Sequence, residues 1–243
     1  MPTRQRADRL LVERGLFDSR ARAQAAIAAG RVLADGAPVR KASEEIPSTA
    51  HIEATPEHPY VSRGGVKLAA ALDRFSLDVK DRICLDVGAS TGGFAEVLLE
   101  RGAQRVYAVD VGRDQLHPKL RGRSALISFE QTDIRALDRA RLTDPPDFAT
   151  VDVSFISLKL VLPAIEELLA PRASLLALIK PQFEAARRDL KKGIVRDPAV
   201  HAAICADTEA LLAARGWRLG GVVPSPILGG DGNREFFVAA GRG

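Results

Sequence analysis

One glycine-rich turn and three acids could assemble a nucleoside site in this sequence. The turn, "DVGASTGGF" at 86–94, carries Asp86, Gly88, Ala89, Ser90, Gly92, Gly93 and Phe94. Glycines there let the backbone approach a ligand closely. Asp110 and Val111 in "YAVDV", then Asp133 and Ile134 in "QTDI", close or follow two further apolar runs. The first of these acids can accept hydrogen bonds from two ribose hydroxyls and the second from an adenine amino group. Each alone could equally cap a helix. Three at the carboxyl ends of successive strands would be a coincidence under that reading. The turn is not a nicotinamide fingerprint: from Gly88 it runs G-x-x-x-G-G, with no cluster of Lys or Arg for phosphates.

A second set alternates in charge: Lys67 in "SRGGVKL", Asp152 in "DVSF", Lys180 in "ALIKPQFE" and Glu235 in "GGDGNRE". Taken alone, Lys67 fits a solvated residue on a helix over 66–75 better than a chemical one. Lys180 differs, because an apolar run precedes it and Pro181 breaks the strand straight after. In a doubly wound sheet these strand ends and loops can converge on one crevice. "TDPPDF" at 143–148 has the look of an amine-methylation motif but lacks its aromatic and precedes a strand, so it reads as a polar turn. Amine methylation stays as a secondary option, since "DVSF" occupies the right strand end without the prolines.

The elements that must position these residues alternate from residue 82. Strands are predicted at 83–87, 105–111, 126–130, 148–153, 174–180, 219–223 and 235–240, with helices between most of them and the last two strands as an antiparallel hairpin at one edge. The expected class is α/β: a seven-stranded, doubly wound, Rossmann-like sheet.

The first sixty residues read differently. "ADRLLVERGL" is a short helix stopped by Gly15; "DSRARAQAAIAAG" is a helix capped by Ser19 and stopped by Gly30; "RVLADGAPVR" is a hairpin around Asp35-Gly36. Residues 1–41 hold nine Lys or Arg against four acids, whereas 42–60 hold none against four. Arg20 and Arg22 in a first helical turn oppose the helix dipole, which points to a ligand's negative charge as compensation. The stretch resembles the S4 domain, a small α+β RNA-binding unit. That resemblance implies contacts from Arg4, Arg6, Arg9, Arg20, Arg22 and Lys41, with Arg63 nearby in sequence, to structured RNA.

At 243 residues and 46% hydrophobic, the chain can bury a core. No apolar run approaches the roughly 20 residues of a membrane span, so no membrane partner is expected. The charged start lacks a secretory signal, giving a cytoplasmic expectation. Cys84 and Cys205 are expected to be reduced, and the four histidines lack ligand spacing, so no metal is expected.

The turn "DVGASTGGF" is similar to the S-adenosyl-L-methionine loop of class I methyltransferases. Lys67, Asp152, Lys180 and Glu235 match, in order and context, the lysine, aspartate, lysine, glutamate tetrad of FtsJ-type ribose 2'-O-methyltransferases. With "SRGGVKL", "DVSFISL", "KPQFE" and the front domain, the whole chain is similar to the TlyA-type, haemolysin A family of ribosomal-RNA cytidine 2'-O-methyltransferases. The resemblance implies an S4-like domain over 1–60, a methyltransferase domain over 61–243, S-adenosylmethionine as cofactor, ribosomal RNA or a ribosomal subunit as partner, and Lys180 as general base. A free lysine is about one part in a thousand neutral near pH 7.4, roughly 4 kcal/mol from the active form; Lys67 and partial burial would lower its pKa, while Asp152 and Glu235 would orient the lysines and temper the shift. The other readings are a non-catalytic RNA-binding or ribosome-assembly factor and a membrane-active haemolysin. Segment 183–198, with five Lys or Arg, is either an RNA-gripping lid or a solvated loop. Monomer and homodimer both stay open.

Overall fold

The computed structural model describes residues 3–229 and 232–243. The chain divides into two compact units, Met1–Pro59 and Tyr60–Gly243.

The first unit runs β1 (Arg4–Arg6), α1 (Ala7–Glu13), α2 (Arg20–Ala28), β2 (Val32–Ala34), β3 (Ala37–Pro38), β4 (Glu45–Pro47) and β5 (Ile52–Ala54). Ser19 caps α2 by accepting the Arg22 N–H, as its position before the alanine-rich run predicts. Asp35 and Gly36 both have positive φ, 49° and 77°, which is the geometry of a tight hairpin turn between β2 and β3. Leu10, Leu11, Phe17, Ala23, Ile27 and Val32 form this unit's own core. The first helix closes at Glu13, with Arg14 as cap and Gly15, left-handed at φ 70°, as the stop its position predicts.

The second unit opens with α3 (Arg63–Phe75), then β6 (Ile83–Val87), α4 (Gly93–Glu100), β7 (Arg105–Val109), β8 (Leu126–Phe129), β9 (Phe148–Val151), α5 (Leu158–Leu168), β10 (Ala173–Ile179), α6 (Pro181–Glu184), β11 (Leu190–Lys191), β12 (Ile194–Val195), α7 (Pro198–Ala214), β13 (Arg218–Pro224) and β14 (Phe236–Arg242). Seven strands form one sheet in the order β13-β14-β10-β9-β6-β7-β8. β8, β7, β6, β9 and β10 are parallel, and β14 runs antiparallel to both β10 and β13. One face packs α3 and α4 around Leu68, Leu72, Phe94, Leu98 and Phe237. The other packs α5 and α7 around Leu162, Ile165, Ile204 and Leu212. Full helices bridge fewer strands than predicted. The β7–β8 and β8–β9 connections hold only 3₁₀ turns, at Pro118–Leu120, Ile134–Ala136 and Arg139–Arg141. Among the described residues no helix is long and apolar enough to cross a membrane, and no group of His, Cys, Asp or Glu could hold a metal ion.

Candidate active site

Chain order reverses at β6. β7 and β8 extend to one side of it, and β9 returns to the other. The crevice at the carboxyl ends of β6 and β9 is therefore the switch point where doubly wound sheets take ligands. The turn after β6 fills it: Gly88 has φ 84° and Gly92 has φ 91°. A Cβ on Gly88 would lie 2.5 Å from the Asp152 carbonyl oxygen, so only glycine allows the turn to reach the end of β9. Ser90, also left-handed at φ 46°, donates its N–H to Asp110 Oδ2 at 2.8 Å. Gly112 N–H donates to Asp110 Oδ1 at 2.7 Å. Asp110 thus ties the first turn to the loop after β7, and its remaining lone pairs are those a diol would use.

Asp86 lies beneath this turn, buried and accepting from Thr150 Oγ1 at 2.8 Å. Its Oδ2 has no hydrogen-bond partner among the described residues. Burial, reinforced by the Asp152 and Asp110 charges and opposed by the Thr150 bond, pushes its carboxyl up to about 7. Left-handed glycines, an acid cradle and an orphaned buried oxygen fit a cationic nucleoside cofactor.

The other predicted cofactor residues divide. Ala89 is buried in the turn, Gly93 opens α4, and Val111 stands exposed beside Asp110. Asp133 caps a 3₁₀ turn and is forked by the Arg135 guanidinium, with its closer contact at 2.6 Å. Arg135 holds the Asp133 carboxyl below the usual range, so an adenine amino group would have to share that carboxylate. The Ile134 side chain belongs to the core, as does that of Phe94, whose ring stacks on Phe237 at 6.2 Å. Only their backbones can face a ligand.

Two lysine–carboxylate pairs border the crevice. Lys67 Nζ meets Glu235 Oε2 at 2.5 Å, and Lys180 Nζ meets Asp152 Oδ1 at 2.7 Å. All four lie at element ends or on α3: Asp152 follows β9, Lys180 caps α6 after β10, and Glu235 precedes β14. In the β10–β14 ladder Ile179 faces Phe236. One further step of that register would set Lys180 opposite Glu235, which brings the two pairs to adjoining strand ends. α3 can bring Lys67 there because its start is packed tightly: a Cβ on Gly65 would strike the Tyr60 ring at 2.4 Å, and one on Gly93 would strike Ser62 Oγ at 2.1 Å.

Several members have no clear signature in the sequence. Ser154 Oγ accepts from Lys180 Nζ at 2.8 Å. Gly229 leaves room for Glu235, whose Oε1 would lie 2.1 Å from an added Cβ. Phe155 is 91% exposed at φ 64°, a strained backbone for a bulky residue, and packs against Phe183 at 5.0 Å. Only Gly229 could have been suspected, from the glycine pair it opens. The turn at "TDPPDF" sits far from this chemistry, at the amino ends of the strands, where Asp147 pairs with Arg82 and Asp144 with Arg105.

The predicted RNA-contacting residues are scattered by partner. Arg6 and Arg20 both converge on buried Asp8, at 3.1 and 2.8 Å, and Gln24 joins them at 2.8 Å. The compensation expected of a ligand for Arg20 is therefore supplied by the protein. Arg22 pairs with Asp18 at 3.6 Å, and Arg4 donates to the Glu45 carbonyl. Arg9 and Lys41 are exposed in the first unit, and Arg63 is exposed at the start of α3 in the second.

Fold, glycine turn and acid cradle define an S-adenosylmethionine-dependent methyltransferase. Solved enzymes of that kind match the second unit at low identity, for example one from Aquifex aeolicus at 20% and a TM-score of 0.51, over 75% of this chain and 94% of that one. The chain belongs to the FtsJ-like methyltransferase family, whose model matches residues 60–242, and an S4 domain matches residues 5–52. The Bacillus subtilis (strain 168) protein YqxC, provisionally named an rRNA methyltransferase, is 47% identical over 97% of this chain and 85% of its own. The 16S/23S rRNA (cytidine-2'-O)-methyltransferase TlyA of Mycobacterium tuberculosis is 40% identical over 98% and 90%. A solved structure from Streptococcus thermophilus, which carries a provisional hemolysin name, aligns at a TM-score of 0.78 and 42% identity over 100% of this chain and 89% of that one.

Proposed function

We propose that this methyltransferase modifies the ribose 2'-hydroxyl of cytidine in ribosomal RNA, with Lys180 receiving the hydroxyl proton. The observation that carries the reading is two lysine–carboxylate pairs, at 2.5 and 2.7 Å, with Lys67, Lys180 and Glu235 buried and Asp152 half-buried at the end of the strand that the cofactor turn reaches. A hydroxyl oxygen needs to be held in line with the methyl carbon and relieved of its proton as the C–O bond forms. S-adenosylmethionine supplies that carbon, and the electron pair of the broken C–S bond stays on sulfur. Gly88 to Gly93, Asp86, Asp110, Val111, Asp133 and Ile134 would hold it. Asp152 and Ser154 fix Lys180 Nζ from two sides, so its position is set before substrate arrives. Lys67, held by Glu235, adds positive charge where the alkoxide character develops.

RNA as partner rests on the S4 match and on the names of the relatives. Arg4, Arg6, Arg9, Arg20, Arg22, Lys41 and Arg63 would grip its backbone, and the exposed Phe155 ring offers a stacking face for a base. Within the second unit, segment 183–198 would add its own contacts to RNA phosphates through the β11–β12 hairpin and its flanks, where Arg187, Arg188, Lys191, Lys192 and Arg196 are all exposed. A ribosomal target assigns the protein to the cytoplasm. The test is to map 2'-O-methylated nucleotides in ribosomal RNA from cells with and without this protein. A cytidine methylated only in its presence is expected; identical maps would overturn the reading.

A further inference from the structure

The β11–β12 hairpin is too short to hold itself. It has two residue pairs, Leu190 with Val195 and Lys191 with Ile194, around a left-handed turn of Lys192 and Gly193 at φ 53° and 77°. An isolated two-stranded hairpin is marginal even when longer. What secures this one is side chains. Asn233, 2% exposed, donates Nδ2 to the Gly193 carbonyl at 3.2 Å and accepts the Val195 N–H through Oδ1 in a long contact of 3.4 Å. His201 Nε2 meets the Val195 carbonyl at 3.0 Å.

Both anchors lead to one place. Asn233 is two residues before Glu235, and its own carbonyl accepts from Gly229 N–H at 2.8 Å, closing the loop whose Gly229 lies against the Glu235 carboxylate. His201 packs on the ring of Phe236, the residue after Glu235, at 5.6 Å. On one side of Glu235, Asn233 bonds the hairpin root directly; on the other, Phe236 packs on His201, which in turn meets the root. The hairpin root and this carboxylate are therefore joined by a short chain of contacts, and Lys67 lies 2.5 Å from the carboxylate.

We propose that Asn233 is a positioning residue that couples the basic β11–β12 hairpin to the Lys67–Glu235 pair, so that gripping RNA phosphates also aligns that pair. This rests on the hairpin being part of the RNA grip. The side-chain amide of Asn233 holds the arm that touches the substrate, and its backbone braces the loop that carries the catalytic acid.

The test is a cycle on the full chain with ribosomal subunits from cells lacking the enzyme. The variants are Asn233→Ala, the pair Lys191→Ala with Lys192→Ala, and all three together. Initial rates of tritiated-methyl transfer give kcat and KM, and binding at several salt concentrations gives the logarithmic salt slope. Calorimetry with S-adenosylmethionine reports that each variant is folded. Asn233→Ala should lower kcat on the order of tenfold to a hundredfold, the scale of a misplaced group, with cofactor affinity retained. The lysine pair should flatten the salt slope by about 0.7 for each phosphate no longer neutralised. Asn233→Ala should flatten it similarly, and the triple variant should go no further than the lysine pair. Full additivity of the slopes, or unchanged kcat in Asn233→Ala, would overturn the coupling and leave the RNA grip standing. An unchanged slope in the lysine pair would remove the grip and the coupling with it. If Asn233→Ala fails to bind cofactor, Asn233→Asp replaces it: the acceptor for Val195 stays, the donor to Gly193 goes, and the same losses are expected in smaller degree, full kcat again overturning the coupling.

Discussion

Both units bury a carboxylate against cations, and they do so in opposite ways. In the first, the Asp8 side chain is fully buried while the Arg6 and Arg20 side chains it holds are 39% and 49% exposed. In the second, both members are covered: 9% and 2% for Lys67 and Glu235, 11% and 20% for Lys180 and Asp152. One buried acid with three donors gathers the Arg6 and Arg20 guanidinium groups on itself while leaving much of each side chain exposed. Arg6, assisted by Arg20 and Gln24 and opposed by burial, holds the Asp8 carboxyl far below the usual range. Burying both partners instead incurs several kcal/mol of desolvation per ion, which their attraction only offsets. The first unit leaves its cations partly exposed and the second confines them; under the proposed function the exposed charge would meet RNA and the confined charge would serve the chemistry.

The strongest way to sharpen this contrast is at Lys180. Lys180→Ala should abolish methyl transfer while cofactor affinity stays nearly intact, because in the proposed role the lysine acts on the acceptor oxygen. Lys180→Arg should fail as well, since a guanidinium does not give up its proton in the working range. A tritiated-methyl assay checks both. Near-normal turnover in the arginine variant would remove the proton-acceptor role and leave Lys180 as a positioning cation.

Next in size is the stability of the Lys67–Glu235 pair. Glu235→Gln should destabilise the second unit by about 3–5 kcal/mol, because a buried ammonium loses its counter-charge. Lys67→Met combined with Glu235→Leu should regain most of that stability and still be inactive. Denaturant unfolding measures the first point and methyl transfer the second. If the double variant were as unstable as the single one, the pair would be a structural brace and the contrast between the units would fail.

A smaller effect follows from Asp86. Its carboxyl is raised from an ordinary value of 3.8 to about 7, so the folded chain binds a proton that the unfolded chain has released. Its contribution to stability is complete below about pH 4 and is lost as pH rises through about 7. Asp86→Asn should flatten that part of the melting temperature's dependence on pH. A positively charged cofactor favours the ionised acid, so its binding near pH 7 should release a proton. Titration calorimetry in two buffers of different ionisation enthalpy detects this, and equal heats would place Asp86 outside the cofactor's field.

How much of this could be read from the chain depended on where backbone pattern ends and side-chain aim begins. β6 is observed at 83–87, as predicted, because a nearly continuous apolar run between polar turns marks a strand buried on both faces. The predicted strands at 105–111 and 148–153 overrun by two residues each. Val111 and Val153 are apolar but belong to the loops that shape the crevice. Lys180 and Glu235 lie just outside the ladder instead of inside it, which frees their side chains to meet Asp152 and Lys67. The loops after β7 and β8 carry no full helix because Gly, Pro and capping aspartates such as Asp133 and Asp138 favour short turns there. What no local pattern announces is partnership at a distance. Asp8 reaches Arg20 from twelve residues away, Asn233 reaches Gly193 from forty, and Phe155 is both left-handed and exposed.

The last test, whose point substitutions carry the smallest expected effect, bears on the first unit. If residues before Tyr60 supply grip and the rest supplies chemistry, a chain starting at Tyr60 should still fold and bind cofactor, since each unit has its own core. It should lose most RNA methylation. Within the full chain, Arg20→Ala with Arg22→Ala should lower RNA affinity and flatten its logarithmic salt dependence by about 0.7–0.9 for each phosphate no longer neutralised, with cofactor binding unmoved. Asp8 complicates the sign in a useful way. Removing Arg20 leaves the buried carboxylate to Arg6 and Gln24 alone, so part of any loss could be a melted first unit. Arg9→Ala with Lys41→Ala removes two exposed cations outside that cluster and supplies the control. A flattened slope in both variants, with unchanged melting in the second, would show that exposed charge itself does the gripping. A loss confined to the Arg20 variant and accompanied by a lower melting temperature would mean that Asp8 and its arginines brace the fold, and the RNA face would then have to lie elsewhere on the unit.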